Sequence, residues 1–194
     1  MEKSEIRKIY IAKRLKLTPI EVEEKSQSIA NNFIKNLLPK IDNFKNKKLG
    51  FYVAINNEVD PSLIISFCKN VGNILSLPKT SSLNRVLSFR EYKLFDGLVK
   101  NNKYPKLLEP EESKNTIIPD IVFTPLVAFD ADCNRIGMGG GFYDATISNY
   151  KEKHPKTIFI GLAYDQQQYP IIPKENLDMN LNFVVTENFI IYCN

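Results

Sequence analysis

The stretch "NRIGMGGGFYD", Asn134 to Asp144, concentrates residue types that bind and transfer phosphate groups. Four of the 8 glycines in the 194-residue chain lie within five positions here: Gly137, Gly139, Gly140 and Gly141. Glycine lets the backbone approach a phosphate closely and adopt positive φ. Arg135 precedes the glycines and can donate a planar, charge-assisted fork to phosphate oxygens. Asp144 follows them and could hold a divalent metal that bridges those oxygens.

The glycines lie between a predicted strand and a predicted helix, so they lead into a helix N-terminus, which favours an anion. Two well-known phosphate loops do not fit. A dinucleotide fingerprint needs a glycine at its sixth position, where this chain has Phe142, and a P-loop needs Gly-Lys-Ser/Thr, which is absent. A tight glycine turn without a ligand remains the alternative. The flanking arginine, aspartate and aromatic residues favour the phosphate site.

The composition predicts a globular protein with one domain, residues 1–194. Hydrophobic residues make up 43% of the chain and charged residues 25%, and the formal net charge is +4. This mild charge suits an anionic small molecule and gives no reason to expect nucleic acid as a partner. The N-terminus has charges where a signal peptide needs an apolar core, and no apolar run approaches the length of a membrane span. We therefore expect no membrane association.

The cysteines and the histidine offer little catalytic chemistry. Cys68, Cys133 and Cys193 are scattered without a C-x-x-C pair, which argues against a disulfide framework and against structural zinc. Such a set fits the reducing cytoplasm, the location that we expect. The only histidine, His154, is expected on the surface at a helix end, and the sequence offers no convincing catalytic triad.

Two N-terminal helices are predicted from local signals. The first spans about Lys3 to Leu15. The second begins with Thr18 as its cap, Pro19 in the first helical position and Glu21 completing a capping box. Its apolar stripe is expected at Ile20, Ile29, Phe33 and Leu37.

The rest of the chain alternates between apolar strands and helices. A buried strand is predicted at about Leu49 to Ile55, then a helix in "PSLIISFCKNV" and strands in "NILSLP" and "RVLSFREY". The segment "IIPDIVFTPLVAF" carries a strand into a turn, and the glycines follow. After them come a helix in "YDATISNYKEK", a strand in "TIFIGLAY" and one or two strands in "FVVTENFIIYC". This order predicts an α/β fold, a three-layer, mainly parallel twisted sheet with helices on both faces and a helical N-terminal extension.

The stretch "PDIVFTPLVAFDADCNRIGMGGGFYDATI" resembles the signature of the 5-formyltetrahydrofolate cyclo-ligase family, also called 5,10-methenyltetrahydrofolate synthetase. That signature is an apolar strand, Pro, "AFD", a short turn, an Arg-apolar-G-x-G-x-G run and an aromatic-Tyr-Asp ending. Further segments are similar to the family in the same order: "MEKSEIRK", "YVAINNEVDPSLII", "LPK", "LLEPEES", "GLAYDQQ" and "VVTE". The resemblance therefore covers nearly the whole chain.

The resemblance implies a ligase that converts 5-formyltetrahydrofolate to 5,10-methenyltetrahydrofolate with ATP as co-substrate and Mg²⁺ as cofactor. Phosphorylation of the formyl oxygen gives an imino-phosphate, which the N10 amine attacks to close the ring. The protein then needs to position the substrates and stabilise charge, as in phosphoryl transfer generally. It also implies an enzyme acting on small molecules, without nucleic acid, and we expect a monomer.

The resemblance also implies a role for each matching residue. Lys3 and Arg7 share one helix face and match the family's ATP-phosphate pair. Arg135 and the glycine backbone are expected to hold the same phosphates. Asp144 matches the magnesium aspartate, and Asp178 matches a second metal ligand. The remaining assignments are Glu58 and Phe142 to the folate and Tyr143 to the ATP side. Solvated charges at Lys3 and Arg7, a loop carboxylate at Glu58 and a turn cap at Asp178 are the structural alternatives.

Two other functions remain open from the residues alone. An α/β enzyme acting on a sugar phosphate or nucleotide would use the glycine loop, but it needs an acid–base pair that the sequence does not supply. A non-catalytic nucleic-acid-binding module would use the basic N-terminus, but the chain lacks a recognition motif or the aromatic sheet pattern of RNA-binding domains.

Overall fold

The helices of this protein lie close to where the sequence pattern predicts them, in a computed structural model that describes residues 1–193. They are α1 (Lys3–Leu15), α2 (Pro19–Asn32), α3 (Ser62–Val71) and α4 (Phe142–Lys153). A π-helical turn, Phe33–Leu37, and a 3-10 turn, Leu38–Lys40, continue α2. His154 is the C-cap of α4, as expected.

The predicted start of α2 is confirmed, and one residue of its apolar stripe is wrong. The Thr18 hydroxyl accepts from the Glu21 N–H at 3.2 Å, and the Glu21 carboxylate accepts from the Thr18 N–H at 2.8 Å. Ile29 is fully buried, whereas Ile20 is 68% exposed. Nine positions separate these two residues, which puts them on opposite sides of an α-helix. Ile20 therefore faces solvent and does not belong to the stripe.

The strands that carry the fold are short. They are β1 (Lys48–Gly50), β2 (Ile74–Lys79), β3 (Ser88–Glu91), β4 (Val99–Lys100), β5 (Leu108–Glu109), β6 (Thr116–Ile117), β7 (Ile121–Pro125), β8 (Ala128–Phe129), β9 (Arg135–Ile136), β10 (Ile158–Leu162), β11 (Phe183–Val185) and β12 (Ile190–Tyr192). The strand predicted at Leu49–Ile55 is shorter than expected, because the chain leaves the ladder after Gly50. Residues 51–55 continue without regular pairing, apart from the Phe51 N–H that donates to the Ser76 carbonyl at 2.9 Å.

The main sheet has the order β12-β11-β10-β7-β1-β2-β3-β6. Its five inner strands, β11 to β2 in that order, run parallel. At the edges, β12 pairs antiparallel with β11, β3 with β2, and β6 with β3. The closing segment thus forms two strands. β4 pairs with β5 and β8 pairs with β9 in separate hairpins. The predicted mainly parallel sheet is confirmed.

The sheet is covered on both faces, as the apolar strands require. On one face, α2 and α3 pack against side chains such as Leu49, Phe123 and Ile160. On the other face, α4 packs through Ile147 and Tyr150. The N-terminal helix α1 packs through Ile6 and Tyr10 against the β8–β9 hairpin. Within residues 1–193, no helix is both long enough and apolar enough to cross a membrane.

The expectation that the cysteines stay unpaired is wrong for two of them. Cys133 and Cys193 form a disulfide, with their Cα atoms 5.8 Å apart, while Cys68 is free and buried. The two half-cystines are 60 positions apart in sequence, but the turn between β8 and β9 lies beside the residue that follows β12. This proximity comes from the tertiary fold, so residue spacing could not reveal it.

The topology brings two loops to one edge of the sheet. β1 and β7 are parallel neighbours, so their carboxyl ends lie side by side. The loop after β1 carries Glu58, and the segment after β7 forms the β8–β9 hairpin that leads into the glycines. Ligands of open α/β sheets bind in the crevice at this edge.

Candidate functional site

The glycine loop joins β9 to the first turn of α4. Gly139 has φ of 95° and Gly141, the N-cap residue of α4, has φ of 69°. Both values lie in the left-handed region, where a side chain is strained and glycine is not. The loop therefore presents backbone N–H groups at a helix N-terminus, the arrangement that favours an anion.

Helix α1 places two cations beside this loop. Arg7 donates through Nε to the Gly137 carbonyl at 2.8 Å. The Lys3 ammonium forms an ion pair with Asp178 and lies 3.6 Å from Glu175. The Lys3 side chain is only 12% exposed, so a freely solvated charge does not describe it. The structure thus brings Arg7 to the glycine loop and Lys3 to Asp178, the second predicted metal ligand.

Arg135, just before the glycine loop, and Asp144, just after it, form an ion pair. The Arg135 side chain is buried, and its Nη2 donates to Asp144 Oδ1 at 2.8 Å. Its Nη1 donates to the Met179 carbonyl. Burial lowers the pKa of Arg135, and the nearby Asp144 carboxylate opposes that shift. Both terminal nitrogens have protein partners, so Arg135 reaches a phosphate only by sharing or exchanging one of them.

The two predicted metal ligands, Asp144 and Asp178, both lie near Arg135. Asp178 accepts from the Glu175 N–H at 2.6 Å, so it does cap a turn as well as pairing with Lys3. Asp144 and Asp178 both act on Arg135 electrostatically. No group of three or more metal-ligating side chains occurs within residues 1–193. Because Mg²⁺ is commonly held by one or two carboxylates plus substrate phosphates, this donor set fits magnesium bound together with ATP.

Glu58 lies in a tight loop built by two asparagines. Asn56 and Asn57 have φ of 51° and 57°, a conformation that asparagine adopts more readily than most residues. Glu58 is 5% exposed, and its Oε2 accepts from the Ile55 N–H at 3.1 Å. Burial raises the pKa of Glu58 to about 7, although Arg14 and the Ile55 hydrogen bond both favour the charged form.

Two aromatic side chains, Phe142 and Tyr143, begin helix α4. The Phe142 ring meets Tyr104 edge to face, with 5.9 Å between centroids. Burial raises the pKa of the Tyr143 hydroxyl, with a further contribution from Glu58, whereas Arg135 opposes the shift. Tyr143 is therefore close enough to both Glu58, the carboxylate expected to bind pterin, and Arg135, the arginine expected to bind phosphate, to feel the charge of each.

Sequence reasoning missed three residues of this region. Arg14 contacts both Glu58 and Met138, at 3.6 Å and 3.9 Å from its Nη2. Tyr104 packs on Phe142, and the Arg85 guanidinium would lie 3.1 Å from a Cβ placed on Gly141. Of these three residues, only Arg14 could have been found from the sequence, because its spacing of seven from Arg7 puts both on one helix face.

Gly137→Ala is expected to weaken ATP binding while the fold is kept. A Cβ on Gly137 meets nothing within 4 Å, and its φ is not in the left-handed region. The added methyl group would therefore clash only with a phosphate bound to the loop. We expect this clash to raise KM for ATP by on the order of tenfold. Gly97→Ala is the matched control, because it too has open space and lies outside this loop. Equal KM values for the two variants would mean that the loop does not approach phosphate.

Gly140 is less suited to this test. A Cβ there would lie 2.8 Å from the Phe142 ring. A larger residue at Gly140 therefore displaces the Phe142 ring as well as changing the glycine loop.

Known proteins resemble this chain over nearly its whole length. The sequence model of the 5-formyltetrahydrofolate cyclo-ligase family matches residues 1–187. The 5-formyltetrahydrofolate cyclo-ligase of Haemophilus influenzae is 34% identical over 184 residues, with 92% of each chain covered. The protein of the same name from Escherichia coli K12 is 32% identical over 179 residues, covering 90% of this chain and 94% of its own. The solved 5,10-methenyltetrahydrofolate synthetase of Aquifex aeolicus superposes with a TM-score of 0.79 at 27% identity, covering 99% of this chain and 93% of its own.

Proposed function

Because the chain belongs to the 5-formyltetrahydrofolate cyclo-ligase family, we propose that the glycine loop binds MgATP and that the neighbouring Glu58 pocket binds the folate. The protein is an ATP-dependent ligase that converts 5-formyltetrahydrofolate to 5,10-methenyltetrahydrofolate. The observation that supports the site assignment is the set of contacts around the glycine loop. Arg7 is hydrogen-bonded to the Gly137 carbonyl, Arg135 is paired with Asp144, and Lys3, one turn before Arg7 on α1, is paired with Asp178.

The reaction requires the formyl oxygen to become a leaving group. The γ-phosphoryl group of ATP moves to that oxygen, ADP is released, and the N5-bound carbon becomes an imino-phosphate. N10 attacks this carbon, the carbon–oxygen bond breaks, and the oxygen departs within inorganic phosphate as N10 loses its proton. Backbone N–H groups of the glycine loop, with Lys3 and Arg7, would hold the phosphates in line for transfer.

The metal assignment is part of the proposal. Asp144 and Asp178 would hold Mg²⁺ against the ATP phosphates, where the cation supplies charge neutralisation. Metal binding would require these carboxylates to change partners, because Asp144 is paired with Arg135 and Asp178 is paired with Lys3. Those two cations would turn from the carboxylates toward phosphate oxygens when the nucleotide enters.

The folate side of the proposal uses Glu58 and Phe142. A carboxylate accepts from the paired N–H donors of a pterin ring. Phe142, supported by Tyr104, would offer a flat apolar surface to the folate. Tyr143, which is acted on electrostatically by both Glu58 and Arg135, would line the place where the phosphoryl group and the formyl oxygen meet.

We further propose a single domain, residues 1–194, acting as a monomer in the cytoplasm, without nucleic acid or membrane partners. One continuous sheet supports the single domain, and Asn194 lies outside the described residues. In a reducing cytoplasm the Cys133–Cys193 pair is expected to be largely thiols. Thiol counting on protein trapped with an alkylating agent tests that location.

The function is tested by mixing the protein with 5-formyltetrahydrofolate and MgATP. We expect a methenyl product that absorbs in the near ultraviolet, and no product when ATP is omitted. Absence of product with a folded, ATP-binding protein would favour a different nucleotide-dependent or sugar-phosphate enzyme. A strong, salt-sensitive affinity for generic RNA would instead favour a nucleic-acid-binding module.

A further inference from the structure

One face of helix α1 carries cations to both halves of the site. Lys3, Arg7 and Arg14 are spaced by four and seven residues, so their side chains share one face. Lys3 and Arg7 end at Asp178 and at the Gly137 carbonyl, on the phosphate side. Arg14 ends instead beside Glu58, on the folate side. The helix therefore has a third basic residue placed for function.

Arg14 is fully buried, with 1% of its surface exposed, and each of its three side-chain nitrogens has a partner. Its Nε donates to the Asn56 carbonyl at 3.0 Å and its Nη1 to the Leu126 carbonyl at 2.9 Å. Within residues 1–193, Glu58 is the acidic group paired with it. A buried guanidinium stays protonated and needs a countercharge, so the two side chains depend on each other.

The pairing leaves part of Glu58 unused. Arg14 Nη2 lies 3.6 Å from Glu58 Oε1, which is too long for a hydrogen bond, while Oε2 accepts from the Ile55 N–H. Arg14 thus acts on the carboxylate by charge, and Oε1 keeps its lone pairs. A direct fork from Arg14 would have occupied both oxygens.

We propose that Arg14 is a positioning residue for folate recognition, holding the Glu58 carboxyl group in place by charge while leaving Oε1 free to accept from the pterin. This inference rests on the proposed function, in which Glu58 binds the folate. The contacts of Arg14 with the Asn56 carbonyl and with Met138 also tie the Glu58 loop to the glycine loop.

Among the ionisable groups that face one another here, Glu58 is the one that titrates near neutral pH. Arg14 faces it from α1, Tyr52 from the segment after β1, and Tyr143 from α4. Burial raises the pKa of both tyrosines, so they stay neutral there. Since burial sets the pKa of Glu58 at about 7 against the opposing effect of Arg14, removing that cation raises it further.

The test is calorimetric binding of 5-formyltetrahydrofolate without ATP, across a pH series, for the wild type and Arg14→Met. In the wild type, affinity should rise with pH around a midpoint near the Glu58 pKa of about 7. In Arg14→Met we expect the midpoint to move up by about one pH unit or more, with roughly tenfold weaker binding at neutral pH. Affinity should recover at alkaline pH, which a merely structural defect would not produce.

Control variants separate charge from packing. Lys8→Met, an exposed change on the same helix, should keep the wild-type midpoint. Glu58→Gln should bind weakly at every pH, and adding Arg14→Met to it should cause little further loss. Binding of a non-hydrolysable ATP analogue should stay within about threefold of wild type in Arg14→Met. If that variant does not fold, Arg14→Lys, which keeps the charge, should retain the wild-type midpoint.

Two results would overturn the inference. A wild-type midpoint in folded Arg14→Met, or a midpoint in Arg14→Lys that rises by about one pH unit or more, would show that the Arg14 charge does not act on Glu58. A wild-type protein that binds no 5-formyltetrahydrofolate at any pH would contradict the proposed function itself. The two failures are therefore distinguishable.

Discussion

Asp144→Asn is expected to lower turnover by on the order of a hundredfold or more and to raise the magnesium concentration required. Asp144 lies in the first turn of α4 and pairs with Arg135 at 2.8 Å. Asparagine is nearly isosteric and its Oδ1 can still accept from the Met179 N–H, so the fold should persist. What is lost is the negative charge that would hold Mg²⁺ against the ATP phosphates.

The measurement is a magnesium titration of product formation at fixed ATP. Asp42→Asn is the matched control, since it makes the same chemical change at an exposed position away from the loop. If the loop bound only an anion, a carboxylate beside it would repel the ligand, and Asp144→Asn would bind ATP as well or more tightly. An unchanged magnesium midpoint together with unchanged turnover would remove Asp144 from metal binding.

Glu58→Gln is expected to raise KM for 5-formyltetrahydrofolate by roughly tenfold to a hundredfold, because hydrogen bonds to a charged group contribute about 1.5–3 kcal/mol each. KM for ATP should change far less, since Glu58 lies after β1 and not in the glycine loop. Steady-state kinetics with each substrate varied in turn provides the measurement. Glu23→Gln, on the exposed side of α2, is the control. Equal KM values for folate in the two variants would exclude the pterin contact.

The same variant changes how stability depends on pH. The folded-state pKa of Glu58, about 7, is above its ordinary value of 4.5. Protonated Glu58 therefore favours the folded state, and this contribution is complete below the unfolded-state pKa and is lost as pH rises through about 7. Glutamine cannot ionise, so thermal unfolding of Glu58→Gln should lack this loss between those pH values. Parallel pH profiles for both proteins would contradict the raised pKa.

The parts of the site that could be predicted from sequence depend on local signals. The capping box at Thr18, the glycine loop and the position of Asp144 in the first turn of α4 each follow from a few neighbouring residues. Glu58 follows a strand, and the parallel pairing of β1 with β7 then places it beside the loop.

The parts that sequence reasoning missed depend on contacts between distant residues. Lys3 meets Asp178 across 175 positions, and Cys133 meets Cys193 across 60. Arg14 stands in a basic run that reads as a solvated helix face, yet it is fully buried because Leu126 and the Glu58 loop close over it. Residue types give no sign of which cation in such a run acquires a buried carboxylate.

An oxygen label tests most directly whether ATP activates the formyl oxygen. The enzyme would be given MgATP and 5-formyltetrahydrofolate whose formyl oxygen is ¹⁸O, and the released phosphate would be analysed by mass spectrometry. Phosphorylation of that oxygen predicts about one labelled oxygen in inorganic phosphate for each methenyl product, and no product without ATP. Product accompanied by unlabelled phosphate, with the ¹⁸O recovered in water, would contradict the account.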